Sequence, residues 1–370
     1  MKDKYIGFDI DCNKTCACVV QQGHKDQYAT LATDLPQMQQ YLQQQRQDGS
    51  RVHLTFEISG EAGYRHDALG PHVDTLTVSN PHKMTWIYRT SKKNDRIDCR
   101  KQAVLLSIGE VPTVHIPPHA VRQWRVTIQQ RRVLVNRIVS VKNRIRALLK
   151  GNGLTQARHK GSCWKIENIE WMKQQAQDWS EVTGEQLWRA HLTDLLEELK
   201  LLGGQLKKVT IYLDHYLDSQ PGGTLLMSIP GVGPRTAEAI LAYTDEVGRF
   251  KRSKQYAAYF GLTPKLDESG QTRRLGRISK EGPSVVRWLL VESTWRVIQK
   301  SPAIKAFYER IVGGQNQRKK TAVVATTRKL VTIMRAMLQT GEPFNEELVS
   351  KAKKNNKNGP DQQAVNPQNN

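Results

Sequence analysis

Four acidic residues, Asp9, Glu57, Asp95 and Asp98, are the first candidates for chemistry. Asp9 follows Ile6-Gly7-Phe8 in a stretch that reads as a strand, and Glu57 ends a second strand-like stretch, Val52–Phe56. In open α/β sheets ligands gather at the carboxyl ends of strands. Asp95 and Asp98 stand three residues apart, which puts both carboxylates on one face of a helix. Four carboxylates brought together repel one another unless a cation neutralises them, and hard oxygen donors suit Mg²⁺ or Mn²⁺. Such a site would activate an attacking oxygen and stabilise the leaving oxygen of a phosphodiester. Each acid also has a purely structural reading. Asp95 and Asp98 would serve as an N-cap and a first-turn carboxylate. Asp11 competes with Asp9, because alternate residues of a strand share a face.

Ser269 is the second candidate. It lies in a polar stretch just before Arg273, Arg274, Arg277 and Lys280. A serine hydroxyl alone is a weak nucleophile, but guanidinium groups around it would bind a scissile phosphate and offset its charge in the transition state. The spacing by itself reads as a turn serine in a phosphate-binding loop. Upstream, the run Ser228-Ile229-Pro230-Gly231-Val232-Gly233-Pro234-Arg235 is similar to a helix–hairpin–helix turn. Gly231 and Gly233 would allow positive φ, and the amides opening the next helix, with Arg235, would face a DNA phosphate. The same glycines also suit an ordinary turn between helices.

The elements that must position these groups follow from periodicity. Residues 4–10 and 15–21 read as a strand pair, 35–49 as a helix, 52–57 as a strand, 64–69 as a helix, 73–78 as a strand and 95–107 as a helix. Strands alternating with helices predict an α/β domain. Ala120–Lys150 lacks Gly and Pro and places Arg131, Arg132, Arg137, Lys142, Arg144 and Arg146 between helically spaced apolar residues. A following helix carries Leu192, Leu195, Leu199, Leu202, Leu206, Val209 and Leu213 in three–four steps, the seam of a coiled coil. That seam serves either a hairpin within the chain or a dimer, and Gly203-Gly204 is expected to interrupt it. The expected division is 1–112 α/β, 113–220 helical coiled coil for linking or oligomerisation, 221–342 all-α with the serine, and 343–370 a disordered tail.

The chain of 370 residues has a net charge of +21, so a polyanion, and first of all nucleic acid, is the expected partner. It contains no apolar run of about 18 residues to span a membrane, and its first residues enter a strand rather than a secretory signal. The five cysteines, Cys12, Cys16, Cys18, Cys99 and Cys163, are odd in number and lack zinc-finger spacing. They read as buried thiols rather than a metal site and point to a reducing, cytoplasmic compartment.

The motifs together carry a resemblance. Ile6-Gly7-Phe8-Asp9, the strand ending in Glu57-Ile58-Ser59-Gly60, and Lys93-Asn94-Asp95-Arg96-Ile97-Asp98 resemble the DEDD transposases of insertion-sequence family 110, which includes the Piv-type DNA invertases. Gly261-Leu262-Thr263-Pro264, a polar turn with Ser269, and Arg274-Leu275-Gly276-Arg277-Ile278-Ser279-Lys280 are similar to the C-terminal domain of the same family. The resemblance implies a RuvC-like (RNase H-like) domain with Asp9, Glu57, Asp95 and Asp98 as metal ligands, leaving Asp11 outside. It implies Ser269 as nucleophile and Ser279 at a helix start. Gly231, Gly233, Arg235, Arg273, Arg274, Arg277, Lys280, Arg131, Arg132, Lys142 and Arg144 are the expected nucleic-acid contacts. The family also implies a homo-oligomer, dimer or tetramer, a structured guide (bridge) RNA as partner, and work at the bacterial nucleoid. Three rivals remain: a RuvC-like nuclease using water and metal alone, an inactive nucleic-acid-binding remnant, and a membrane-surface or chromatin-like packing protein, which would need the charge but no acid cluster.

Overall fold

The computed structural model describes residues 2–84, 94–154, 162–269 and 272–355, the side chains of 266–275 and 351–355 excepted. The chain divides into two compact units, Met1–His119 and Ala120–Asn370.

The first unit is a five-stranded sheet with three helices. In chain order these are β1 (Asp3–Ile10), β2 (Lys14–Val20), β3 (Gln27–Ala32), α1 (Leu35–Arg46), β4 (Arg51–Glu57), α2 (Ala62–Leu69), β5 (Thr75–Ser79) and α3 (Asp95–Ser107). The sheet order is β3-β2-β1-β4-β5. β1, β2 and β3 pair antiparallel, while β4 joins β1 and β5 in parallel. β3 has no counterpart among the expected strands. It is an edge strand whose residues alternate between half-buried and exposed, so it shows little of the apolar signal that marks an inner strand.

Alternation assigns the faces of the sheet. Ile6, Phe8, Val52, Leu54 and Phe56 point to one side and form a core with Met38 and Leu42 of α1 and Ala62 and Leu69 of α2. Gly7, between Ile6 and Phe8, looks to the other side, where α3 lies. A Cβ at Gly7 would collide with the Cys99 carbonyl oxygen and stand 2.8 Å from the Ala103 nitrogen. The missing side chain lets α3 rest directly on β1.

The second unit is mainly helical. It begins with α4 (His119–Gly151), α5 (Ile166–Gln175) and α6 (Leu187–Asp218). α4 and α6 pack against each other within the chain, as an antiparallel hairpin. Trp124 packs at a tilt against Tyr216 with ring centroids 4.9 Å apart, Arg131 Nε donates to Thr210 Oγ1 at 3.3 Å, and Arg144 Nη1 donates to Glu198 Oε2 at 3.2 Å. Leu192, Leu195 and Leu202 share a core with Leu134, Val141, Ile145 and Leu149. The expected interruption at Gly203-Gly204 does not occur: α6 runs through both. Each glycine costs a helix about 1 kcal/mol, and packing of Leu202 and Leu206 on either side offsets that loss.

There follow α7 (Pro221–Met227), α8 (Pro234–Thr244), α9 (Ser253–Tyr259), β6 (Pro264–Ser269), β7 (Thr272–Ile278), α10 (Ser284–Lys300), α11 (Pro302–Val312), α12 (Lys319–Thr340) and α13 (Glu346–Asn355). The expectation of an all-α C-terminal part is therefore corrected: β6 and β7 form a two-stranded antiparallel hairpin. Its charged, short alternation hides the period of two from a sequence reading. The expected tail also begins folded. Glu346 accepts from Ser301 Oγ at 2.8 Å, and Phe344 and Val349 pack on the large core of this unit. Residues 356–370 lie outside the described residues.

Candidate active site

The sheet places two of the acids by register. Phe8 of β1 faces Phe56 of β4 across a parallel ladder, and Asp9 and Glu57 are each one residue further on. Both therefore look to the α3 side, at the carboxyl ends of neighbouring strands. α3 brings the other two. Asn94 caps it, its side chain accepting from the Arg96 amide at 3.0 Å, and the first turn carries Asp95 and Asp98. Lys14 ties that turn to the same end of the sheet. It opens β2 beside Thr15, the partner of Ile10, and its Nζ donates to Asp95 Oδ2 at 2.6 Å.

All four acids are half-buried. Asp11 is exposed and sits outside β1, in the turn where its amide donates to the Lys14 carbonyl at 3.1 Å. Strand pairing thus separates the two rivals that alternation alone left equal.

The charge on the helix acids is balanced by lysines. The Lys101 ammonium is 3.9 Å from Asp98, and Asp95 raises the Lys14 ammonium above its ordinary value by accepting its hydrogen bond. Among the described residues no three His, Cys, Asp or Glu side chains stand close enough together to hold one ion. The donor set nevertheless fits a hard divalent cation in kind: four carboxylates, on two strand ends and one helix turn, at one end of the unit. Between α3 and β2 lie the buried thiols Cys99 of the helix and Cys16 and Cys18 of the strand, with Cys16 directly across from Asp9 on the ladder. A hydrogen bond between Cys18 and Cys99 lowers the first thiol and raises the second.

In the second unit, Ser269 closes β6 and its backbone pairs with Thr272 of β7. The side chains of Ser269, Arg273 and Arg274 lie outside the described residues. Arg277 and Lys280 are exposed at the hairpin and its root. Ser279 is not a helix cap. α10 starts at Ser284 behind Pro283, and the Ser279 hydroxyl accepts from the Glu281 amide at 3.4 Å.

Helices α7 and α8 flank the glycine turn. Gly231 adopts φ +100°, and a Cβ there would stand 2.8 Å from the Arg296 and Val297 backbone of α10. Gly233 does not share the expected positive φ. Its φ is −104°, in the extended region, at the N-cap of α8. The reason is positional: only Gly231 must turn the chain against α10.

Several expected binding cations are engaged within the unit. Arg235 pairs with Asp214 and, at 3.0 Å, with Glu238, whose side chain is 1% exposed. Burial pushes the Glu238 carboxyl up to about 7 against the pull of Arg235 and Arg131. Arg132 lies 3.6 Å over the Trp288 ring centroid, and Lys142 lies 4.8 Å from that of Trp164. The sequence reading missed Lys14 as the partner of Asp95, since 81 residues separate them. It also missed Arg287, whose Nη1 donates to Phe260 O, Glu281 O and Gly282 O.

Two family models match the chain. The DEDD transposase model of the IS110 type matches residues 6–152. The model described as transposase IS116/IS110/IS902 family matches residues 223–309. The transposase for insertion sequence element IS1111A of Coxiella burnetii is 27% identical over 79% of this chain and 79% of its own. A pilin gene-inverting protein of Moraxella bovis is 28% identical over 43% of this chain and 48% of its own. The first model spans all four acids, and the second spans Ser269. Among the described residues no helix is long and apolar enough to cross a membrane.

Proposed function

Since the chain belongs to the IS110 family of transposases and is a DNA transposase, we propose that it cuts and rejoins DNA with the carboxylate end of its sheet and with Ser269. The observation that supports this reading is the register of β1 and β4, which puts Asp9 and Glu57 at the ends of neighbouring strands on the face that α3 covers. These four residues would hold Mg²⁺ or Mn²⁺. When bound, the ion supplies positive charge against a phosphodiester and its leaving oxygen.

The Ser269 hydroxyl attacks phosphorus. An Oγ–P bond forms, the bond from phosphorus to the leaving deoxyribose oxygen breaks, the serine proton passes to solvent, and the leaving oxygen takes up a proton. The broken strand stays attached as a phosphoserine ester. Attack by a hydroxyl of another strand reverses the step and joins DNA without an outside energy source. Arg273, Arg274, Arg277 and Lys280 follow Ser269 closely enough in sequence to offset phosphate charge. A structured guide RNA, a dimer or tetramer in which one copy's serine completes another's acidic site, and work at the cytoplasmic nucleoid belong to the same proposal. The basic face of α4 supports a nucleic-acid contact.

The test is trapping. Protein, guide RNA and DNA are incubated with Mg²⁺, and the expected product is a protein–DNA adduct on the peptide containing Ser269. A Ser269→Ala variant that cleaves at the normal rate without an adduct would instead establish water as the nucleophile.

A further inference from the structure

Beneath the β6–β7 hairpin the backbone crosses itself. Gly261 adopts φ +66° and Gly282 φ +74°. A Cβ on Gly261 would collide with the Glu281 carbonyl oxygen and lie 2.7 Å from the Glu281 nitrogen, and one on Gly282 would collide with the Tyr259 carbonyl oxygen. Only glycine lets the segment entering the hairpin and the segment leaving it meet this closely. Two backbone bonds span the crossing: the Ser279 amide donates to Thr263 O at 2.9 Å, and the Lys280 amide to Gly261 O at 3.3 Å.

The crossing leaves carbonyl oxygens pointing inward at the end of α9 and before α10. One side chain answers them. Arg287 Nη1, from the first turn of α10, donates to Phe260 O at 3.2 Å, Glu281 O at 2.8 Å and Gly282 O at 3.4 Å. Phe260 belongs to the incoming segment, Glu281 and Gly282 to the outgoing one. A single nitrogen therefore holds both ends of the hairpin to the helical body. Partial burial lowers the guanidinium's affinity for its proton, but an arginine remains charged under such a penalty.

We propose that Arg287 is a positioning residue for the transposition reaction: it fixes the root of the hairpin and so sets where Ser269, at the end of β6, is presented. The inference rests on Ser269 as nucleophile. Arg287 itself touches no DNA in this proposal. Its effect falls on the attack step, because misplacing a reacting group by about 1 Å costs up to about 100-fold in rate.

The test compares Arg287→Met, Arg287→Lys and Ser269→Ala in the full chain with its RNA, DNA and Mg²⁺. Adduct formation, DNA affinity and backbone hydrogen exchange are measured for each. Arg287→Met is expected to slow adduct formation by about 10- to 100-fold, leave DNA affinity unchanged, and speed exchange in peptides covering 260–282 but not in α8 or α12. Arg287→Lys should recover most of the loss, since one nitrogen makes all three contacts and an ammonium brings three donors. It also serves as the test if the methionine variant does not fold. Normal adduct formation by Arg287→Met, with or without faster exchange, overturns the proposal. So does a loss of DNA affinity that accounts for the whole defect, or a lysine variant as slow as the methionine one. Ser269→Ala that still forms the adduct overturns the serine reading itself, and is distinguished from those outcomes by its own lane.

Discussion

The sheet end and the hairpin present the residues proposed to react in opposite ways. At the sheet end, Asp9 and Glu57 sit on strands paired on both sides, and α3 rests on Gly7 to bring Asp95 and Asp98 alongside. Many independent ladder bonds hold these positions. The hairpin has one ladder and one root, gathered at Gly261, Gly282 and Arg287. On the proposed reading, a single defect at the root would move Ser269 without unfolding its unit, whereas a defect between β1 and α3 would damage fold and acidic site together. Both regions rely on glycine for backbone approach. They differ in how much else would have to give way.

The largest effect expected from this comparison is chemical. Asp9→Asn or Glu57→Gln should slow strand cleavage by about 100- to 1000-fold, several kcal/mol of lost charge stabilisation. The unfolding temperature should stay within a few degrees. Cleavage assays over a Mg²⁺ titration, with thermal unfolding in parallel, check both points, and an active Asp9→Asn variant would remove the sheet end from the mechanism.

Next comes the contact beneath the acids. Gly7→Val must push α3 from β1 and should cost about 3 kcal/mol. Calorimetry should show this as a lower first transition, with cleavage lost as well. A stable, active valine variant would mean that the acids do not depend on α3 seating. At the hairpin root, Gly282→Ala combines a strained φ with a collision and should cost about 2 kcal/mol. The comparison predicts that hydrogen exchange rises around 260–282 while α8 and α12 remain protected. Exchange rising throughout the unit would show that the root is not a separable element.

The last test is a control. Glu238 is a carboxylate buried in the helical body, well away in kind from the half-exposed acids of the sheet. Its folded value, about 7, lies above its ordinary 4.5. The protonated form is favoured in the fold, so its contribution is fully present below pH 4.5 and is lost as the pH rises through 7. The wild type should lose roughly 1–3 kcal/mol across that window, and Glu238→Gln should flatten the profile and be the more stable form at pH 8. Denaturant unfolding at several pH values reads this directly. An unchanged slope in the variant would assign the pH dependence to another group.

Much of the first unit was legible in the sequence. The helix over Asp95–Ser107 was bounded correctly because a polar first turn and a 3.6-residue apolar period are local signals. The strand ending at Glu57 was equally clear, since Val52, Leu54 and Phe56 alternate onto one core. The edge strand β3 and the hairpin β6–β7 were not, because half-exposed strands lack a strong apolar alternation. The continuity of α6 through Gly203-Gly204 was also hidden, because helix propensity is overridden by packing against α4. Asp9 and Asp11 were indistinguishable by period. The resemblance chose Asp9, and the end of β1 at Ile10 sets the two apart in the fold.

The sequence alone determined which residue types are candidates for chemistry, their order, and the placing of Asp95 and Asp98 on one helix face, because each of these depends on neighbours within a turn or a strand. The tertiary structure decided the rest. Strand register sets Asp9 and Glu57 at the ends of neighbouring strands, Lys14 reaches Asp95, Gly7 receives α3, and Arg287 closes the hairpin root. Each of these joins residues remote along the chain, and such contacts arise from packing and hydrogen bonding between elements, which local periodicity does not encode.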